Sequence, residues 1–159
     1  MAFIQPTWAE VGGASVRFDL SDNCPPSFML TDGGLCRFVS LYQQYNSPKG
    51  FGGLRNPLPP ARDGFTPQQI DLGRFLFFDP VVSGDESTSC AHCHHPDMGF
   101  ADGRATAMGF GAQGVGDKRR GGVALDRAAP TLWNVAFLRH FFWDARASSL
   151  ESQMLGPLF

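Results

Sequence analysis

At 159 residues the chain is long enough for one domain with an extension, and its 43% hydrophobic content suffices to bury a core. Thirteen basic against 15 acidic residues leave a net charge of −2, which argues against a nucleic-acid or polybasic membrane-surface partner. No apolar run reaches the length of a membrane-spanning helix.

Residues 1–64 show little helical periodicity and many turn formers, among them Gly50, Gly52, Gly53, Pro57, Pro59 and Pro60. Residues 16–20 alternate weakly, and residues 38–45 are long enough for one short helix or strand. The stretch reads as an irregular extension that packs on a main domain over residues 65–159. Within it Cys24 and Cys36 lie in a Gly/Pro/Asp-rich loop. They could pair as a disulfide or remain two buried thiols, since sequence does not fix pairing.

At Thr66 the pattern changes. Thr66-Pro67-Gln68-Gln69 offers a capping hydroxyl, Pro at the first helical position and Gln three residues after the cap. Ile70, Leu72, Phe75, Leu76 and Phe77 then form an apolar stripe, which Pro80 should end. After a Ser/Gly/Asp-rich turn comes Cys90-Ala91-His92-Cys93-His94.

This C-x-x-C-H pentapeptide reads as a covalent attachment site for a c-type haem. Positions 90, 93 and 94 share one face of a helical turn. Two thiols there can form thioethers while His94 presents a ring nitrogen to the iron. A zinc site would need four ligands, and no second C-x-x-C exists. A thioredoxin-like redox pair would need a βαβ setting, and a plain disulfide gives His94 no purpose. His92 and His95 are read as polar neighbours, not ligands. The attachment helix must be short, because Pro96 follows it.

Residues 97–122 are glycine-rich, a long loop whose backbone can pass close to a flat ligand. A helix is expected from Pro130 through Leu132, Val135 and Phe137. Another is expected from a capping box at Ser148-Ser149-Leu150-Glu151, closed by Gly156-Pro157. The apolar end at Leu158-Phe159 reads as the middle of a longer unit. Fifteen phenylalanines suit an aromatic-lined interior around a large apolar cofactor.

Five stretches carry a resemblance when taken in order. They are Leu72-Gly73-Arg74-Phe75-Leu76-Phe77-Phe78-Asp79-Pro80, the Cys90–His94 motif, Gly99-Phe100-Ala101-Asp102-Gly103, Ala129-Pro130-Thr131 and Phe142-Trp143-Asp144-Ala145-Arg146-Ala147. Together they resemble the N-terminal, peroxidatic haem half of the bacterial di-haem cytochrome c peroxidase/MauG family, over residues 65–158. The resemblance implies a mostly α, cytochrome c-like haem domain with long Gly/Pro-rich loops. It implies one covalent haem c in this chain, held by Cys90, Cys93 and His94, and a second on a missing half or partner chain. It further implies that Trp143 relays electrons between the haems, where composition alone would make it a core residue. Gln153 corresponds to a distal-pocket glutamine; the alternative is a solvated helical side chain.

The expected activity is reduction of hydrogen peroxide, with electrons from a donor cytochrome or cupredoxin. One alternative is MauG-like oxidation of Trp or Tyr on a partner protein. The other is a mono-haem electron carrier with Met108 or Met154 as second ligand. Three departures from the family pattern stand out. Gly109-Phe110-Gly111 holds Phe110 where many members have a distal histidine, and Phe110 cannot bind iron. Ala128 stands where a calcium-binding Asn is usual, which removes a ligand for calcium. The family's distal glutamate falls beyond Phe159. Haem-c attachment in bacteria takes place outside the cytoplasm, so the expected location is the periplasm. Residues 1–10 lack the charged and apolar regions of an export signal, which is expected to have been removed.

Overall fold

The structure is a computed structural model, and it describes residues 19–39 and 58–158. The alternation before Asp19, the element expected beyond Val39 and the turn formers before Leu58 lie outside the described residues. Few regular elements are present. Strands β1 (Phe28–Leu30) and β2 (Cys36–Phe38) form an antiparallel pair in which Met29 opposes Arg37. Helices are α1 (Pro67–Phe78), α2 (Cys90–Cys93) and α3 (Leu150–Leu158), with single 3-10 turns between them.

The β1–β2 hairpin is a short regular element within the extension that the sequence pattern did not indicate. Its turn is Thr31-Asp32-Gly33-Gly34, in which Gly34 N–H donates to the Thr31 carbonyl at 2.9 Å and Gly34 takes a φ of 74°. Cys24 and Cys36 form a disulfide with their Cα atoms 5.6 Å apart, and Cys36 is fully buried. The hairpin meets the following chain through backbone bonds. Cys36 N–H donates to Phe65 O at 2.7 Å and Gly64 N–H to Cys36 O at 3.1 Å. Phe38 packs edge-on against Phe137 at 6.1 Å.

Helix α1 starts where its sequence says it should. Gln69 N–H donates to Thr66 Oγ1 at 3.2 Å, and Thr66 N–H donates to Gln69 Oε1 at 2.9 Å. This reciprocal cap satisfies two of the free donors of the first turn. The helix stops at Phe78 because Asp79 precedes Pro80 and takes an extended conformation (φ −90°, ψ 126°). Of its apolar stripe, Ile70, Phe75 and Phe77 are half-buried while Leu72 and Leu76 are exposed.

Two helix expectations need correction. No helix starts at Pro130: only a 3-10 turn, Val135–Phe137, forms there. Asn134 sits in the left-handed region at φ 59°, which interrupts any right-handed helix through Leu132 and Val135. The last helix begins one residue later than the expected box. Ser149 and Ser152 cap each other, with Ser152 N–H donating to Ser149 Oγ at 3.1 Å, and Glu151 takes no part. Gly156-Pro157 does not close α3, which runs on to Leu158. The fixed φ of proline is compatible with a helix, so Pro157 removes one N–H donor without unwinding the last turn.

The glycine-rich loop also holds more order than its composition promises. Residues 107–127 fold back as an irregular antiparallel ribbon. Gly109 N–H donates to Val123 O at 2.7 Å, Leu125 N–H to Ala107 O at 2.8 Å, and Gln113 and Arg120 exchange two bonds of 2.8 Å. Gly122 is required at its crossing. A Cβ there would lie 2.4 Å from both Ala112 N and Phe110 O.

Candidate haem site

Helix α2 is a single turn, and it places Cys90, Cys93 and His94 together. Its N-terminus is fixed by Ser89, 3% exposed, whose N–H donates to His92 Nδ1 at 2.9 Å. Its C-terminus is His94, whose N–H donates to Cys90 O at 2.9 Å. Ala91 is buried beneath. Pro96 then opens a 3-10 turn, Pro96–Met98, which ends in left-handed Gly99 (φ 62°) and Phe100 (φ 58°).

That reversal carries the site's main geometric fact. It turns the Phe100 carbonyl back to His94, with Nδ1 and O 3.0 Å apart. A carbonyl only accepts, so His94 Nδ1 carries the proton and Nε2 is left with its lone pair. His92 has the opposite arrangement, because its Nδ1 accepts from a backbone N–H. Burial, and then the nearby charge of Arg119, hold His92 below the ordinary imidazole value, so the ring is neutral at pH 7. Its remaining proton therefore sits on Nε2. Of these two histidines, only His94 offers a metal an open nitrogen. His95 caps the next turn, with Asp97 N–H 3.3 Å from its Nδ1.

The thiols suit the same chemistry. Cys90 and Cys93 are half-buried and unpaired, whereas Cys24 and Cys36 are bonded. Burial pushes both thiols up from their ordinary value. Beside the motif lies an open apolar cleft of about 440 Å³, lined by Arg74, Phe77, Phe78, Phe100, Leu132 and Trp133. Its rings meet edge-to-face, Phe77 to Phe100 at 6.2 Å and Phe100 to Trp133 at 5.6 Å. Phe100 thus lines the cleft with its ring and orients His94 with its carbonyl. Two free thiols, a histidine with one open nitrogen and an aromatic-walled cleft next to it fit a covalently held haem.

Two buried charged residues lie near the motif, Asp102, quoted above only within a family stretch, and Arg119, which the sequence did not single out. Arg119 is 1% exposed. Its Nε donates to Met108 O at 2.9 Å, and its terminal nitrogens reach Gly114 O, Thr88 Oγ1 and Gly109 O at 2.9 to 3.3 Å. Met108 O also accepts the weak thiol bond of Cys93 at 3.7 Å. Asp102 is likewise 1% exposed; its Oδ1 accepts from Arg104 N–H, and its Oδ2 has no partner. Nothing in the spacing of Arg119-Arg120 singles out the first arginine. The Ser89-x-x-His92 pairing, by contrast, follows the spacing of a capping box and was open to detection.

Of the other candidates, Met108 meets α2 through its carbonyl. Trp143 is 68% exposed, and its Nε1 donates to Ala128 O at 3.3 Å. It occupies a tight knuckle between two left-handed residues, Phe142 (φ 64°) and Ala145 (φ 59°). Buried Phe141 and Ala147 close the knuckle with bonds of 2.8 and 3.4 Å. Among the described residues Trp143 is not part of the core. Gln153 is half-buried on α3, Met154 is exposed, Met108 is half-buried in the ribbon and Phe110 is 71% exposed. Among the described residues no three His, Cys, Asp or Glu side chains group as a metal site, and no helix is long and apolar enough to cross a membrane.

Comparison with known proteins gives the chain's relatives. The chain is 41% identical to the methylamine utilization protein MauG of Methylorubrum extorquens over 99 residues, covering 62% of this chain and 25% of that one. It is 40% identical to the cytochrome c peroxidase Ccp of Escherichia coli over 90 residues, covering 57% of this chain and 17% of the relative. The chain thus spans a quarter or less of the length of these relatives. A solved MauG-like protein associated with microbial copper homeostasis overlays 65% of this chain and 25% of its own, at 30% identity. Its TM-score of 0.48 is too low to assign the fold. The family model for di-haem cytochrome c peroxidases matches residues 67–159, and the chain belongs to that family.

Proposed function

We propose that this chain is the N-terminal, peroxide-reducing haem-c portion of a periplasmic di-haem peroxidase, working with a second haem-bearing half. The observation that carries the reading is the 3.0 Å contact of His94 Nδ1 with Phe100 O, beside two unpaired cysteines three residues apart. Cys90 and Cys93 would hold the haem as thioethers, and His94 would ligate iron through Nε2. Bound there, haem c supplies the iron at which peroxide is reduced.

The chain's own residues supply position and environment. The Phe100 carbonyl keeps the proton on Nδ1 and fixes the ring plane, which also makes the ligand more basic. The rings of Phe77, Phe100 and Trp133 give the neighbouring cleft an apolar wall. Reducing one peroxide to two waters takes two electrons and two protons, so the site needs both an electron entry and a proton donor. Trp143, displayed at the tip of its knuckle, is the proposed entry from the second haem. Gln153 is the proposed polar contact for peroxide. A positioned proton donor contributes about 10²–10⁴-fold in such chemistry. The proposed donor is a carboxyl group outside these 159 residues, so the chain by itself should be slow.

A second reading is MauG-like oxidation of an aromatic residue on a partner protein. Phe110 favours it, because the 107–127 ribbon contains no histidine that could bind the iron of a haem held by His94.

The chain should be expressed in a host that matures c-type cytochromes, and its intact mass and peroxide consumption measured. One haem per chain that survives denaturation is expected, with slow turnover that rises when the second haem-bearing half is added. No covalent haem, or full turnover by the chain alone, overturns the reading. Retained haem with fast oxidation of a partner's Trp or Tyr, and little use of reduced cytochrome, selects the second.

A further inference from the structure

The buried guanidinium of Arg119 calls for a role beyond packing. It carries a full charge, is 1% exposed, and among the described residues is met by three carbonyls and one hydroxyl, none of them ionised. Burying a charge without a counter-ion is costly. The bonds to Met108, Gly109 and Gly114 staple the glycine ribbon internally. The bond to Thr88 ties it to the residue before Ser89, which starts α2. Met108 O is shared between Arg119 and the Cys93 thiol, so the charge stands one carbonyl away from the attachment cysteine.

We propose that Arg119 is a positioning residue whose buried charge raises the reduction potential of the haem attached at Cys90 and Cys93. The inference rests on the reading of Cys90, Cys93 and His94 as a haem-c site. An oxidised haem iron carries one more positive charge than a reduced one. A fixed cation nearby therefore favours the reduced state, and burial keeps solvent and salt from screening it. Axial ligation, hydrogen bonding and burial all tune such potentials, and the protein charge acts alongside them. Buried Asp102 carries the opposite sign and follows Ala101, whose carbonyl accepts from His95 N–H at 3.0 Å just past the motif.

The test is a spectroelectrochemical titration of the haem-loaded chain and of R119M, R119K and D102N, with covalent haem counted by intact mass. The expected result is a lower midpoint potential for R119M and a near-normal one for R119K, which keeps the charge but not the forked bonding. D102N should shift the midpoint upward. Equal potentials across all variants, or shifts of R119M and D102N in the same direction, overturn the inference and leave Arg119 a purely structural staple. If R119M does not fold, R119Q takes its place: a lowered midpoint supports the proposal and an unchanged one overturns it. Absence of covalent haem from the wild-type chain overturns the proposed function itself, and this inference with it.

Discussion

His94 Nδ1 lies 3.0 Å from the carbonyl oxygen of Phe100, while two residues earlier His92 Nδ1 lies 2.9 Å from the N–H of Ser89. A carbonyl demands a proton from its partner and an amide N–H demands a lone pair. The two rings are therefore held as opposite tautomers. In the haem-free chain, long-range proton–nitrogen correlation spectra should show His94 protonated at Nδ1 and His92 at Nε2. Finding His94 protonated mainly at Nε2 would remove the reason for choosing it as the ligand.

The crossing of the 107–127 ribbon gives a prediction that separates two adjacent glycines. Gly121 and Gly122 both take positive φ, 71° and 68°. Alanine at position 121 would meet nothing within 4 Å, so it carries only the left-handed conformational cost of about 1–2 kcal/mol. Alanine at position 122 would drive its methyl into Ala112 N and Phe110 O at 2.4 Å. These are backbone atoms and cannot rotate away. Denaturant unfolding should show G121A mildly destabilised and G122A destabilised by several kcal/mol or unable to fold, in the upper range for single substitutions, above about 4 kcal/mol. Equal losses would mean the ribbon does not cross as described.

The legible parts of the chain were those written in local chemistry. Thr66 and Gln69 announce α1 because a cap needs only a hydroxyl and an amide three residues apart. Cys90, Cys93 and His94 could be expected side by side because one helical turn brings them together whatever surrounds it. The failures were equally physical. Leu132, Val135 and Phe137 carry helical spacing, yet Asn134 takes a left-handed conformation, and the Thr131 hydroxyl instead bonds Gly99 O across the chain. Ser148 and Glu151 match a capping box, but Ser149 and Ser152 make the bonds. Arg119 was invisible because its partners, Thr88, Met108, Gly109 and Gly114, are mostly backbone carbonyls, which any residue provides. Pattern reports side chains; it does not report which carbonyls a fold gathers.

Acid sensitivity should appear where the extension joins α1. Asp71 Oδ2 accepts from Ser21 N–H at 2.9 Å and Oδ1 accepts from Arg74 Nε at 2.8 Å. The Ser21 bond first, and Arg74 second, hold this carboxyl below its ordinary 3.8. A depressed value means the folded state binds the proton less readily than the unfolded one. The stabilisation is thus complete above pH 3.8 and fades as pH falls through the lower folded value. Thermal unfolding of the wild type between about pH 5 and pH 2 should lose stability more steeply than that of D71N, whose site cannot titrate. Parallel curves would show that Asp71 contributes nothing to acid unfolding.

Trp143 offers the clearest separation of function from stability. At 68% exposure, at the tip of a turn closed by Phe141 and Ala147, its ring contributes little to the core. Trp143→Phe removes one exposed hydrogen bond, to Ala128 O, and keeps an aromatic surface. Substitutions of this kind usually stay within about 0.5 kcal/mol. Phenylalanine is also much harder to oxidise than tryptophan, so a relay through this position should slow. For W143F paired with the second haem-bearing half, peroxide turnover should fall by more than tenfold with haem content and unfolding midpoint unchanged. Loss of that size is about 1.4 kcal/mol in activation free energy, well above the expected change in stability. Unchanged turnover together with weaker binding of the second half would instead make Trp143 a contact residue of that interface.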